Sequence, residues 1–91
     1  MDRTLHSPEH ARLCGLLKEL RQRADLTQAE LAERLAVSQG LVSKLEAGEV
    51  RVDLLQLRQM LQALDVDVVA FVRAFERGDT TATRIHRRRS Q

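Results

Sequence analysis

The sequence predicts an all-α fold, and three observations support that prediction. Hydrophobic residues make up 43% of the 91 positions, which is enough for one modest core. Only Phe71 and Phe75 are aromatic, so the core must be built from Leu, Val and Ala, a composition that suits packed helices better than a β-sandwich. Apolar residues also recur at i, i+3, i+4, i+7 spacing behind good helix-capping residues.

The first helix is predicted to begin after Ser7, which can act as N-cap with Pro8 at the first helical position. It should end near Ala24–Asp25. Its inward stripe is Leu13, Leu16, Leu17 and Leu20.

Two short helices should follow. Thr27 and Glu30 form a capping box before the segment QAELAERLA, and Ser38 can cap the segment QGLVSKLEA, which Gly48 should stop in a left-handed conformation. Helices this short are unstable alone in water, so both must be held by their neighbours. Their buried residues should be Leu31, Ala32 and Leu35 in the first, and Leu41, Val42 and Leu45 in the second.

Two further helices are predicted from Asp53 and Asp67, each an N-cap. The fourth should bury Leu54, Leu57, Leu61 and Leu64. The apolar face of the fifth is wider than one stripe, which favours a dimer interface, with packing in the monomer core as the alternative. That face consists of Val68, Val69, Phe71, Val72 and Phe75.

Charge divides the chain into two parts. Residues 79–91 hold four arginines against one aspartate, whereas residues 1–78 carry 11 basic and 12 acidic side chains. We therefore expect one folded domain over 1–78 and a basic, disordered tail over 79–91, which has almost nothing apolar to bury. The tail could bind phosphates or be a solvated terminus without function.

Several classes of protein are disfavoured. No apolar run approaches the roughly 20 residues of a membrane span, and the N-terminus lacks a signal-like apolar stretch. The lone Cys14 fits a reducing, cytoplasmic location. His6, His10 and Cys14 recur every four positions, but Pro8 places His6 outside the helix, so we expect no metal and no cofactor. No catalytic constellation is present, and we expect no enzyme.

The two short helices, joined by only Ala36, Val37 and Ser38, are typical of a helix-turn-helix. In such a motif the second helix enters the DNA major groove, so its outward side must be small or hydrogen-bonding. The side opposite Val42 and Leu45 meets that requirement. We call it the recognition face: Gln39, Gly40, Ser43 and Lys44.

The segment TQAELAERLAVSQGLVSKLEAGE resembles the helix-turn-helix of the Cro/C1 (XRE-like) family of phage repressors and bacterial regulators. The resemblance covers roughly residues 12–76 and implies a five-helix, lambda-repressor-like domain that binds a palindromic operator as a homodimer. It also implies that Arg21 and Glu46 form a buried ion pair between the first and third helices.

The resemblance implies a role for each residue of the interface. Gln39 would read adenine, Lys44 would reach guanine or a phosphate, and Ser43 would support either. Gln28, Ser38 and Arg51 would contact the DNA backbone. Gly40 departs from relatives that carry a longer base-reading residue there, so it either permits close approach to DNA or reads nothing.

We therefore expect a sequence-specific regulator of transcription, with repression the expected outcome. Two alternatives stay open. An antitoxin-type regulator would also bind a toxin protein, and a protein-interaction module would keep the fold without reading DNA.

Overall fold

The computed structural model describes residues 7–78, which form five α-helices. The predicted helical architecture is confirmed. The predicted tail, 79–91, and His6 lie outside the described residues. No helix within 7–78 is long and apolar enough to cross a membrane. The helices are α1 (Pro8–Arg23), α2 (Gln28–Leu35), α3 (Gln39–Ala47), α4 (Leu54–Ala63) and α5 (Val68–Glu76).

Every helix begins at a side-chain cap. In each case the capping oxygen accepts a hydrogen bond from the backbone N–H three positions on, which satisfies one of the amides that a helix start leaves unpaired. All five predicted caps are confirmed: Ser7, Thr27, Ser38, Asp53 and Asp67. The predicted capping box between Thr27 and Glu30 is also present.

The first four helices end in the same way, on a residue with left-handed backbone. At the end of α4, the Val66 N–H donates to the Leu61 carbonyl at 2.8 Å and the Asp65 N–H donates to the Gln62 carbonyl at 3.1 Å. This Schellman arrangement turns the chain sharply without leaving the last carbonyls unpaired. The left-handed residues are Asp25, Ala36, Gly48 and Asp65.

The core lies between the inner faces of all five helices. It is built almost wholly from Leu, Val and Ala, as the composition required. One prediction is wrong: Leu54 is 68% exposed, because the first turn of α4 extends past the edge of the core. Met60 is buried on that helix instead. The most deeply buried residues are Leu17, Leu31, Val42, Met60, Leu61, Leu64, Val66 and Phe71.

The wide apolar face of α5 is divided between the core and solvent. Phe71 is 1% exposed, so its assignment to a dimer interface is wrong: the ring fills the monomer core and offers no surface to a partner. Val68 and Phe75 are half-buried. Val69 and Val72 remain 59% and 43% exposed.

Arg12 joins the beginning of α1 to the end of α5. Its Nη2 donates to the Phe75 carbonyl at 2.8 Å, and its guanidinium lies over the Phe75 ring with 4.5 Å to the centroid. The guanidinium thereby holds a backbone oxygen of the last helical turn and stacks on an aromatic face.

Candidate nucleic-acid interface

The position of α3 is set by packing on α1 and α2. The side chains of Val42 and Leu45 on its inner side are buried in the core. Ser38 caps the helix by accepting a 3.1 Å hydrogen bond from the Leu41 N–H. Only three residues separate α3 from α2, with Ala36 in a left-handed conformation at φ 58°. The turn therefore fixes the angle between the two helices and leaves the outer side of α3 uncovered.

That outer side is the recognition face. All four of its residues, Gln39, Gly40, Ser43 and Lys44, are exposed. Gly40 is surrounded by open space: a Cβ built on it would have only the Ser38 hydroxyl within 4 Å, at 3.9 Å. The structure thus brings together one amide, one hydroxyl and one ammonium group on the exposed side of one helix. Arg51 is exposed in the loop between α3 and α4.

Beneath the recognition face lies a buried ion pair. The Nε of Arg21 contacts Oε2 of Glu46 at 2.6 Å, and Nη2 contacts Oε1 at 3.0 Å. The third nitrogen of the guanidinium, Nη1, donates to the Leu26 carbonyl at 2.7 Å. One side chain of α1 therefore ties down both the last turn of α3 and the loop that leads into α2.

Two glutamines continue this network to the surface. Nε2 of Gln28 donates to Oε1 of Glu46 at 3.0 Å, and Nε2 of Gln39 donates to Oε1 of Gln28 at 3.2 Å. The first residues of α2 and α3 are thus connected to the buried carboxylate. The resemblance implied that Gln28 contacts a DNA phosphate. It did not indicate these hydrogen bonds to Glu46 and Gln39, because no regular spacing relates positions 28, 39 and 46.

A second missed feature did have a local signal. Asp53 and Gln56 form a reciprocal capping box, with hydrogen bonds of 2.8 and 3.1 Å, before α4. The pattern of a cap followed three residues later by Glu or Gln is the same one that Thr27 and Glu30 display. The Asp53–Gln56 capping box stabilises the start of α4, which follows the loop that contains Arg51.

His10 and Cys14, one turn apart on α1, are in side-chain contact. Nε2 of His10 lies 3.6 Å from the sulfur of Cys14, and burial raises the pKa of the Cys14 thiol. Within residues 7–78 no three His, Cys, Asp or Glu side chains converge as a metal site would require.

The comparisons with known proteins agree with this geometry. The sequence profile of the family described as "Helix-turn-helix domain" matches residues 12–75. An XRE-family-like protein from Pseudomonas syringae pv. tomato str. DC3000 superposes with a TM-score of 0.76 at 34% identity, covering 84% of this chain and 93% of that one. No protein of curated function matches the sequence.

A second solved structure supports the fold at lower identity. It is a mutant of the restriction-modification controller protein C.Esp1396I, with a TM-score of 0.72 and 20% identity over 78% of this chain and 95% of that one. The profile match, the XRE-family-like relative and the helix-turn-helix geometry agree on one assignment. The chain belongs to the XRE-like helix-turn-helix family and is a DNA-binding regulator of transcription.

Proposed function

We propose that this protein binds a palindromic operator as a homodimer and represses transcription by occluding the polymerase. The observation that carries the proposal is the recognition face: four exposed residues on a helix held rigidly by buried contacts behind it. A major groove about 12 Å wide admits one such helix and offers hydrogen-bonding groups to its outer side.

Within the recognition face, we assign Gln39 to a base and Lys44 to guanine or a phosphate. Ser43 supports either contact. Gln28, Ser38 and Arg51 border the face and are assigned to the DNA backbone. Gly40 adds no hydrogen-bonding group, so Gln39 and Lys44 carry most of the expected base readout.

The homodimer is assigned to the outer side of α5. Val69 and Val72 lie three positions apart on one side of that helix and are exposed, while the rest of its apolar face packs inward. Pairing two copies about a two-fold axis would cover both valines. It would also place the two α3 helices about one turn of DNA, or roughly 34 Å, apart.

We further propose that residues 1–78 act as the DNA-binding unit in the cytoplasm and that the basic segment 79–91 adds phosphate contacts. Deleting residues 80–91 should then reduce the salt dependence of DNA binding. An identical salt slope would show that this segment contributes nothing.

Selection of bound DNA from a random library tests the function directly. The expected result is an inverted repeat whose half-sites are centred about one helical turn apart. Recovery of unrelated sequences with no shared motif would contradict sequence-specific binding and favour a module that binds only protein. A single asymmetric site would contradict the homodimer.

A further inference from the structure

Four side chains form a continuous hydrogen-bonded chain from the interior to the recognition face. Arg21 donates to Glu46, Gln28 donates to Glu46, and Gln39 donates to Gln28. The side chains of Glu46 and Arg21 are 2% and 10% exposed, whereas Gln39 is exposed. This series of hydrogen bonds therefore begins at a buried charge and ends at Gln39, the residue assigned to base reading.

We propose that the buried carboxylate of Glu46 fixes the direction in which the Gln39 amide points, and thereby selects the base that Gln39 reads. The inference rests on the proposed function, because it concerns the specificity of the same DNA-binding face. It makes Glu46 a positioning residue that never touches DNA.

The argument begins with what a carboxylate can do. An ionised carboxylate only accepts hydrogen bonds, whereas a glutamine amide donates at one end and accepts at the other. Facing Oε1 of Glu46, Gln28 must therefore turn its Nε2 inward. Its carbonyl oxygen is then the atom that faces Gln39.

The constraint passes to the next amide in the same way. A carbonyl oxygen also only accepts, so Gln39 must direct its Nε2 toward Gln28, as it does at 3.2 Å. One N–H of Gln39 is used in that bond. The carbonyl oxygen and the second N–H remain for DNA.

One donor beside one acceptor fits adenine, which offers N7 as acceptor and the N6 amino group as donor. Guanine instead offers two acceptors, N7 and O6, and would suit an amide that presented both of its N–H groups. The direction of the Gln39 amide therefore decides between adenine and guanine, and Glu46 determines that direction through Gln28.

Arg21 keeps the carboxylate in this role. Its Nε and Nη2 each donate to a different oxygen of Glu46, so the carboxylate cannot rotate away from Gln28 without breaking one of these bonds. Burial of both side chains also excludes water that could otherwise satisfy Glu46 and release the glutamine.

The substitution Glu46→Gln inverts the chain with little change of shape. The 2.6 Å contact from Arg21 Nε requires an oxygen at the Oε2 position, which places the new amino group at the Oε1 position, facing Gln28. The variant therefore loses the 3.0 Å bond from Arg21 Nη2 to Oε1 and should be less stable than the natural protein. Gln28 must then present its oxygen inward and its amino group to Gln39. Gln39 would accept through its oxygen and present two N–H groups to DNA.

The experiment is selection of bound DNA from a random library, with the full chain, for the natural protein and the variant. The position that Gln39 reads is identified first with Gln39→Ala. There the natural protein is expected to prefer adenine over guanine by about 5- to 150-fold. Glu46→Gln is expected to lower that ratio by about tenfold or more, or to reverse it, while preferences elsewhere in the site persist.

Two further variants keep the test informative if Glu46→Gln does not fold. Gln28→Met leaves the ion pair intact and removes the link together with the backbone contact assigned to Gln28. Loss of the backbone contact should weaken binding to all sequences alike, whereas loss of the link should lower the adenine preference at the same position without a shift toward guanine. Met60→Ala destabilises the core through a buried residue that takes no part in the hydrogen bonds between Arg21, Glu46, Gln28 and Gln39. It should weaken binding without altering the preference for any base.

The outcomes are distinct. An unchanged adenine preference in Glu46→Gln, or in Gln28→Met where the former does not fold, would overturn the inference while leaving the proposed function intact. A natural protein that selects no sequence would overturn the proposed function and this inference with it. If Glu46→Gln alters the base preference at every position of the site, and Met60→Ala does the same, then Glu46 acts only through the stability of the fold. That result would also overturn the inference.

Discussion

Arg21 and Glu46, 25 positions apart in the chain, form an ion pair whose shorter contact is 2.6 Å. The pair joins α1 to the last turn of α3, beneath the face assigned to DNA. Its strength depends on both partners being present, because a charge left alone in the interior has lost its hydration without replacement.

Glu46→Ala is expected to lower the free energy of unfolding by about 3–5 kcal/mol, since it leaves the Arg21 guanidinium buried and unpaired. Urea denaturation followed by circular dichroism measures the change. The matched control is Glu19→Ala, which removes the exposed contact between Glu19 and Arg23 at 3.9 Å. That surface pair should contribute no more than about 1 kcal/mol. Equal losses in the two variants would contradict the role of the buried pair.

Gln39→Ala is expected to weaken binding to the selected operator by about 1–3 kcal/mol and to relax preference at one base position. Fluorescence anisotropy with operator variants measures both effects. Gln22→Ala, at an exposed glutamine on α1, is the control and should leave the binding unchanged. If Gln39→Ala weakens binding to all sequences equally, then Gln39 contacts the backbone and reads no base.

Gly40→Ala is expected to raise the stability by less than about 1 kcal/mol, because alanine has the higher helix propensity and the space is open, but the position lies in the first turn of α3. The matched control is Gly15→Ala on α1, where nothing lies within 4 Å of an added Cβ. Thermal unfolding should show a gain for both variants, and the gain should be larger for Gly15→Ala, which lies in the middle of α1. DNA affinity should stay the same in both. A loss of affinity confined to Gly40→Ala would show that the glycine permits close approach to the groove.

Val69→Glu is expected to weaken the homodimer at least about tenfold, since it would bury a charge where two copies of α5 meet. The side chain is 59% exposed in the monomer, so the fold should tolerate the change. Sedimentation velocity over a range of concentrations measures the association. Leu55→Glu, at a residue 66% exposed on α4, is the control. Equal weakening by the control would move the interface away from α5.

Cys14 should make the fold less stable at alkaline pH. Burial raises the pKa of its thiol above the ordinary value of 9.0, so the folded state keeps a proton that the unfolded chain loses. The contribution of the protonated thiol to stability is fully present below pH 9.0. It declines as the pH rises through the raised pKa of the folded state. Unfolding measured from pH 8 to 10.5 should show a flatter decline in Cys14→Ala than in the natural protein. The chain contains no tyrosine to add to the slope. Parallel declines would show that the thiol plays no part.

The predictions from sequence succeeded where structure depends on neighbouring residues. Ser38 and Asp67 could be identified as caps because a cap bonds only three positions ahead. Gly48 could be identified as a left-handed stop because glycine has no Cβ to oppose it. Ala36 adopts the same conformation without that advantage, so its residue type alone does not predict the left-handed turn.

The predictions from sequence failed where the burial of a side chain depends on how the helices pack against each other. Leu54 and Leu57 follow the same periodicity, yet only the second packs against the core, while Leu54 is exposed to solvent. Phe71 and Val72 are adjacent on an apolar helix, and periodicity alone does not say which one the core takes. The link from Gln28 to Glu46 requires side-chain positions that no spacing reveals.

The three-residue turn and the Arg21–Glu46 pair also affect the thermodynamics of binding. Helices of eight and nine residues would be largely unfolded as isolated peptides, yet the caps and core contacts that hold α2 and α3 all come from the chain itself. The conformational entropy of the interface is therefore lost when the chain folds and not when it meets its operator. Association then requires little further ordering of α3.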